Sequence, residues 1–441
     1  MKKHYIFLIL ISILFVATIV ITRGKEDKKP LLKMRSAKTS VSGEWTNTRT
    51  IIEGFESQLR SNPDNMEIKL KLCQAYIQEG RVTGDHDYYD ALAFRLVNEV
   101  LKSEPLNFEA LCSKATLQAS AHQFSEALVT SQKAITINPY NSYIYGIMCD
   151  AYVELGNYEK AIQAGDKMVS IRPDLRSYSR ISYLREILGD YPGAIEAMQM
   201  ALDAGVPGLE QTEWVRTNLG KLYELTGKPG LAQQIYDEAL AHRPFFAPAL
   251  AGLGRVERSL KNYDKAIQYF SEASSMMKDY SFHHELAVTY HLAGMADKSI
   301  SEYQIALDLL MKHKHPTNEE NGIGHNIDRE LALIYLSMGE YSNALNSARA
   351  EYEIRPDNID VNEVLAWSYY KNGDTKAALS HILKALSTKS QNPELRYKAG
   401  EIFIANNKKE LGTILISNAL KQNPFLETKI FLNSQPGLAS K

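Results

Sequence analysis

Between residues 145 and 173 the chain reads YGIMCDAYVELGNYEKAIQAGDKMVSIRP, and its apolar positions recur with a helical period. Tyr145, Met148, Cys149 and Tyr152 stand at i, i+3, i+4 and i+7, which is one face of an α-helix. Gly156 predicts the end of that helix, because glycine takes the left-handed conformation past a helix end without a Cβ clash. Ala161, Gly165 and Met168 then repeat the spacing, and Pro173 closes a second helix that proline cannot continue. The unit reads as an antiparallel helix pair. Cys149, Ala161 and Gly165 are small where the two helices cross, and Tyr152 fills the groove between them.

The same succession of small, aromatic, glycine and proline positions starts again at Met66, Phe108, Ser142, Leu175, Glu213, Ala247, Tyr280, His325, Ile359 and Pro393. The steps are 42, 34, 33, 38, 34, 33, 45, 34 and 34 residues. Unit five reads LGKLYELTG followed by Ala232, Tyr236, Ala239 and Pro244, and unit seven has LAVTYHLAG with Tyr303 and Ala306. Unit eight has LALIYLSMGEYSNAL with Pro356, and unit nine LAWSYYKNG with Ala378 and Ala385. This pattern resembles the tetratricopeptide repeat of 34 residues, in a protein of bacterial type. The departures are local: His122, Lys261 and Asn407 replace the turn glycine of units two, six and ten, and Arg185 stands where unit four should have its aromatic residue. The resemblance implies an all-α fold, a right-handed α-solenoid of about ten helix pairs over residues 66–424.

Outside the repeats, residues 44–63 predict one solitary helix with Ile51, Ile52, Phe55 and Leu59 apolar, a cap for the first pair. Residues 425–441 read as a tail. At the other end, residues 5–22 form an 18-residue run without a charge, long enough at about 1.5 Å per residue to span roughly 27 Å of hydrocarbon. No small-residue cleavage site follows it. Residues 1–22 are therefore expected to be a single transmembrane helix or uncleaved signal, and residues 23–43, which lack apolar periodicity, a flexible tether. The short basic start before the apolar run favours export, against the basic residues Arg23, Lys25, Lys28, Lys29, Lys33, Arg35 and Lys38 on the far side. The expected localisation is a single-pass inner-membrane protein with an extracytoplasmic solenoid.

Charge and chemistry narrow the function. With 50 basic and 52 acidic residues the net charge is -2, and no basic stripe within the repeats points to nucleic acid. Cys73, Cys112 and Cys149 lie on first helices and read as buried free thiols. His284 and Glu285 begin a zinc-protease helix, but Val288 occupies the place of the second histidine. His284 and His291 are about 10 Å apart along the axis, too far to share a metal unaided. No nucleophile elbow or phosphate-binding loop occurs. The reading is of a protein that is not an enzyme and needs no cofactor or metal.

Three stretches carry extra residues: residues 80–89, 205–211 and 312–324. The last, KHKHPTNEENGIG, offers His313, His315, Glu319 and Glu320, although such polar runs are most often solvated loops. The working surface follows instead from the resemblance, which implies that the second, fifth, ninth and twelfth places of each unit face the concave side. Those places hold Tyr143, Asp150, Arg176, Tyr183, Trp214, Lys221, Arg255, Arg258, His284, His291, Arg329, Trp367, Tyr370 and Tyr397. Aromatic and arginine side chains dominate binding hot spots, and any one of them could equally pack against the neighbouring first helix. The expected function is a membrane-tethered scaffold that binds a partner peptide or helix in the concave groove, with Arg255, Arg258 and Arg329 favouring acidic segments. Two alternatives stand beside it: an envelope protein with a small-molecule or metal site in residues 312–324, and a self-assembling structural protein.

Overall fold

The computed structural model describes residues 32, 33, 35, 43–314 and 325–426. Among them the chain forms 21 α-helices and no strand. A solitary helix, α1 (Gly43–Ser61), precedes ten antiparallel pairs. The first helices of these pairs are Met66–Thr83, Phe108–Ser120, Ser142–Glu154, Leu175–Ile187, Glu210–Leu225, Ala247–Ser259, Tyr280–Leu292, Asp328–Met338, Ile359–Lys371 and Pro393–Ala405. Each pairs with its own second helix and stacks on the next pair, the arrangement of an α-solenoid.

The turn within every pair places one residue in the left-handed region: Gly84, His122, Gly156, Gly189, Gly227, Lys261, Gly294, Gly339, Gly373 and Asn407. His122, Lys261 and Asn407 thus adopt the glycine conformation without being glycine, at φ 59°, 65° and 60°. Asn141, Asn157, Asn358 and Asp374 accept backbone N–H bonds at helix starts, which satisfies donors the helix leaves open. Between the two helices of a pair, small residues allow close approach and a large ring fills the groove. Tyr236, Phe270 and Tyr303 are fully buried in units five, six and seven.

Helix α1 covers the end of the stack as a cap would. Ile52 is fully buried with Leu70, Cys73 and Tyr76 of unit one, and the Tyr76 hydroxyl donates to Glu56 at 2.8 Å. Within the stretch expected to be a tether, Arg35 is buried and forms a two-pronged pair with Glu79, at 2.8 and 2.7 Å. The three cysteines are buried and free.

Two features differ from the sequence expectation. The extra residues of unit one, placed by the sequence at 80–89, are taken up by longer helices, Met66–Thr83 and His86–Ser103, each 18 residues. Those of unit five are partly absorbed by an earlier helix start at Glu210 rather than Glu213. The second difference corrects the expected single transmembrane helix and, with it, the single-pass inner-membrane localisation. No helix among the described residues is long and apolar enough to cross a membrane: most are shorter than the roughly 20 residues a span needs, and the longer ones carry several charges. Residues 1–22 themselves lie outside the described residues, as do residues 315–324 and 427–441.

Candidate partner-binding face

The residues expected to face inward sit on the first helices, and most of them touch the first helix of the next unit. Asp150 accepts from Arg180 at 2.9 and 2.6 Å. The Arg176 guanidinium lies 5.4 Å from the ring centre of Tyr143, whose hydroxyl bonds Thr116 at 2.8 Å. Arg255 holds Glu224 at 2.9 to 3.2 Å, and the Tyr236 hydroxyl donates into the same carboxylate. Arg258 is buried against Glu285 at 2.5 Å and Thr289 at 3.3 Å. Arg329 faces Asp360 at 3.7 Å and Glu330 at 3.6 Å. Continuing the series, Lys398 pairs with Glu363 at 2.7 Å, and the Tyr370 hydroxyl donates to Glu401 at 3.3 Å. The first helices therefore carry a ladder of charge pairs running from unit to unit.

This ladder changes the electrostatic reading. Each of Arg255, Arg258 and Arg329 already faces a carboxylate of this chain, so its charge is largely neutralised locally. The preference for acidic partner segments that their number suggested is weakened accordingly. Around the ladder, burial and neighbouring charge move several groups. Loss of solvation, aided by the Asp360 charge and opposed by Lys221, pushes the Glu186 carboxyl up to about 7. Burial likewise raises the Tyr183 hydroxyl well above its ordinary range, and it lowers the His291 imidazole. His284 bonds the Ser337 hydroxyl at 3.0 Å, and Tyr397 packs beside Ala419 and Leu426 at the end of the stack.

The two tryptophans expected to face inward have different fates. Trp367 is 3% exposed, stacked on Tyr370 with ring centres 4.9 Å apart and with Lys371 above it at 5.2 Å. Trp214 is 46% exposed. It borders a cavity of about 820 Å³, together with Lys221 and Arg255. The other walls come from distant parts of the chain: Asn47, Thr48 and Ile51 of α1, Arg81, Val82 and His86 of unit one, and the segments 208–210, 242–248 and 276–282. Ile51, Leu209 and Phe245 are large apolar side chains left exposed there. Sequence spacing pointed to Trp214 and Lys221. It missed the contribution of α1 and unit one, which depends on how far the solenoid coils; the apolar Ile51 on a capping helix was the one available signal.

No group of three or more His, Cys, Asp or Glu side chains among the described residues is arranged to hold a metal ion. The side chains of residues 313–324, the other candidate place, lie outside those described.

The fold defines a helical-repeat protein, an α-solenoid of stacked helix pairs. Models of the tetratricopeptide repeat match residues 246–313 and 329–393, which span units six, seven, eight and nine. The chain is similar to the Protein CTR9 homolog of Arabidopsis thaliana, 22% identical over 324 residues, which are 71% of this chain and 25% of that protein. It is also similar to Superkiller complex protein 3 of Mus musculus, 25% identical over 163 residues, 36% of this chain and 9% of that one. The chain thus spans about a quarter or less of the length of these curated relatives. Among solved structures, a tetratricopeptide repeat protein from Parabacteroides merdae matches at 15% identity and a TM-score of 0.42, covering 58% of this chain and 94% of that one. A human IFIT1 dimer with PPP-AAAA matches at 14% identity and 0.46, covering 86% and 89%. The curated relatives are a plant and a mouse protein, and the expected bacterial type finds no support. Repeats of this class typically mediate protein–protein interaction.

Proposed function

We propose that this chain is a protein-interaction scaffold that takes a segment of its partner, an extended peptide or one face of a helix, into the concave cavity beside Trp214. The observation that carries this reading is the exposure of Trp214 at the edge of the cavity, where most of the neighbouring charged side chains are paired within the chain. A half-exposed indole flanked by Ile51, Leu209 and Phe245 is the type of anchor that supplies most of the energy at protein interfaces. A volume of about 820 Å³ lies within the range of concave binding sites. The mechanism is positioning: the rigid stack presents the anchor, and the paired charges around it fix register more than they add affinity.

Trp214→Ala tests the reading and Trp367→Ala does not, because their burial differs. Truncating the buried Trp367 should cost about 3–5 kcal/mol of stability, whereas Trp214→Ala should stay within about 0.5 kcal/mol of the parent. Thermal unfolding checks both. Partner capture by crosslinking and mass spectrometry should then lose specific proteins in Trp214→Ala while the melting curve is unchanged. Capture of the same set by both forms would overturn the assignment of this cavity.

A further inference from the structure

The solenoid coils far enough to meet itself. The left-handed turn residue of each of the first five units touches a segment six units further on. Gly84 lies against Lys278 before unit seven, and His122 against Asn326 before unit eight. Gly156 meets Asp357 before unit nine, and Gly189 meets Lys389 and Gln391 before unit ten. Gly227 meets Gln422 and Asn423 at the end of the stack. The register is constant, and the contacts are polar. Lys278 donates its backbone N–H to the Thr83 carbonyl at 3.0 Å, and its ammonium reaches Asp85 at 3.0 Å and Asp87 at 3.4 Å. His122 Nδ1 donates to the Asn326 carbonyl at 2.7 Å. The Asn358 side-chain amide donates to the Glu154 carbonyl at 3.0 Å, the Ile359 N–H donates to the Tyr158 hydroxyl at 2.9 Å, and Arg355 bridges Glu154 and Glu351. Asn423 donates to the Glu224 carbonyl at 3.0 Å.

The glycines reveal how close the two turns of the coil are. A Cβ at Gly156 would stand 2.3 Å from the Asp357 backbone, one at Gly84 2.4 Å from the Lys278 carbonyl and one at Gly227 2.5 Å from the Gln422 carbonyl. Gly294 and Gly373 have the same conformation, at φ 76° and 84°, yet a Cβ there meets nothing within 4 Å. Among the described residues no further turn of the coil lies against these later units. The glycine requirement thus has two sources: backbone conformation in all of these turns, and the approach of a second coil only in the early ones.

We propose that this seam is a latch that closes the coil over the concave cavity and opens as one unit while the helix pairs stay folded, admitting a partner from the side. The helix pairs are held by buried apolar rings and alanines, whereas the seam is held by hydrogen bonds and ion pairs, partly exposed at Lys278 and buried at Arg355 and Asn358; opening hydrates both partners of each pair together, which keeps the net cost per bond small. Ile359, packed with the core around Cys149 and Val153, adds its buried apolar contact at the middle, between units three and nine. Both the latch and its test hold whether or not Trp214 is the anchor.

The test places a reporter at one end of the seam and a wedge at its middle. Cysteines at Lys228→Cys and Gln422→Cys, at the end of the seam where Gly227 meets Gln422 and where neither native side chain contributes a named seam bond, are bridged in the full chain by a short bis-maleimide. The native thiols do not compete, because Cys73, Cys112 and Cys149 are all buried. Gly156→Asn is the wedge and Gly373→Asn its control. Asparagine tolerates the left-handed region, as Asn407 shows at φ 60°. The cross-link should form in the parent pair and with Gly373→Asn, and be lost with Gly156→Asn, whose radius of gyration rises while far-UV circular dichroism stays unchanged. Equal cross-linking in both variants, or equal loss in both, overturns the latch. Should Gly156→Asn lose helicity, the double variant Tyr158→Phe/Asn358→Ser carries the test. Serine keeps the helix cap but removes the amide that reaches across, and a persisting cross-link there overturns the proposal equally.

Discussion

Glycine in the middle of a helix ordinarily costs stability, yet Gly252→Ala should destabilise this protein. Gly252 lies inside the first helix of unit six, and Gly220 inside that of unit five; the buried Tyr236 ring sits between them. A Cβ at Gly252 would come within 2.4 to 2.6 Å of three ring atoms, and one at Gly220 within 2.5 to 3.0 Å. Carbon atoms in ordinary contact are about 3.5–4.0 Å apart. The ring cannot move aside, because the opposite glycine occupies its other face and its hydroxyl is held by Glu224 and Arg255. Helix propensity favours alanine by about 0.5–1 kcal/mol. Overpacking a filled site costs about 1–3 kcal/mol, and a ring clamped on both sides belongs at the upper end, so the net loss should be about 2 kcal/mol. Gly54 of α1, where a Cβ meets nothing within 4 Å, is the control, and Gly54→Ala should gain about 0.5–1 kcal/mol. Urea titration of the two variants gives the sign of each shift, and hydrogen exchange over residues 247–259 localises the loss. A Gly252→Ala protein as stable as the parent, beside a stabilised Gly54→Ala, would refute the clamp.

Two further expectations follow from backbone conformation and burial. Lys261 sits at φ 65° on the surface in the glycine place of unit six, so Lys261→Gly should raise stability by about 1 kcal/mol, measured as a higher melting temperature. Glu186 holds its proton more tightly in the folded state, its pKa moving from 4.5 to about 7 through loss of solvation and the nearby Asp360. Its contribution is therefore fully present below 4.5 and lost as pH rises to about 7, and Glu186→Gln should flatten the fall in melting temperature across that window.

The sequence by itself determined the helix pairs and their repetition, because both are local. An apolar face at i, i+3, i+4 and i+7 specifies a helix, a left-handed residue stops it, and a small residue lets its partner approach. His122, Lys261 and Asn407 adopt the turn conformation of the glycines they replace, which shows that the turn's place in the repeat, more than residue preference, sets the backbone there. What the spacing could not carry is everything that depends on units meeting one another. Arg255 and Arg258 look like free cations in the sequence, but the neighbouring first helices bring Glu224 and Glu285 against them. Trp214 and Trp367 share an expected inward face, and packing with Tyr370 and Lys371 buries one while the other borders an open cavity. Gly156 and Gly373 are the same residue at the same place in the repeat, and only one supports a second turn of the coil. The superhelix is the sum of small rotations from unit to unit. A period of 34 residues fixes each unit, but only the folded stack decides that six of them bring the chain back onto itself.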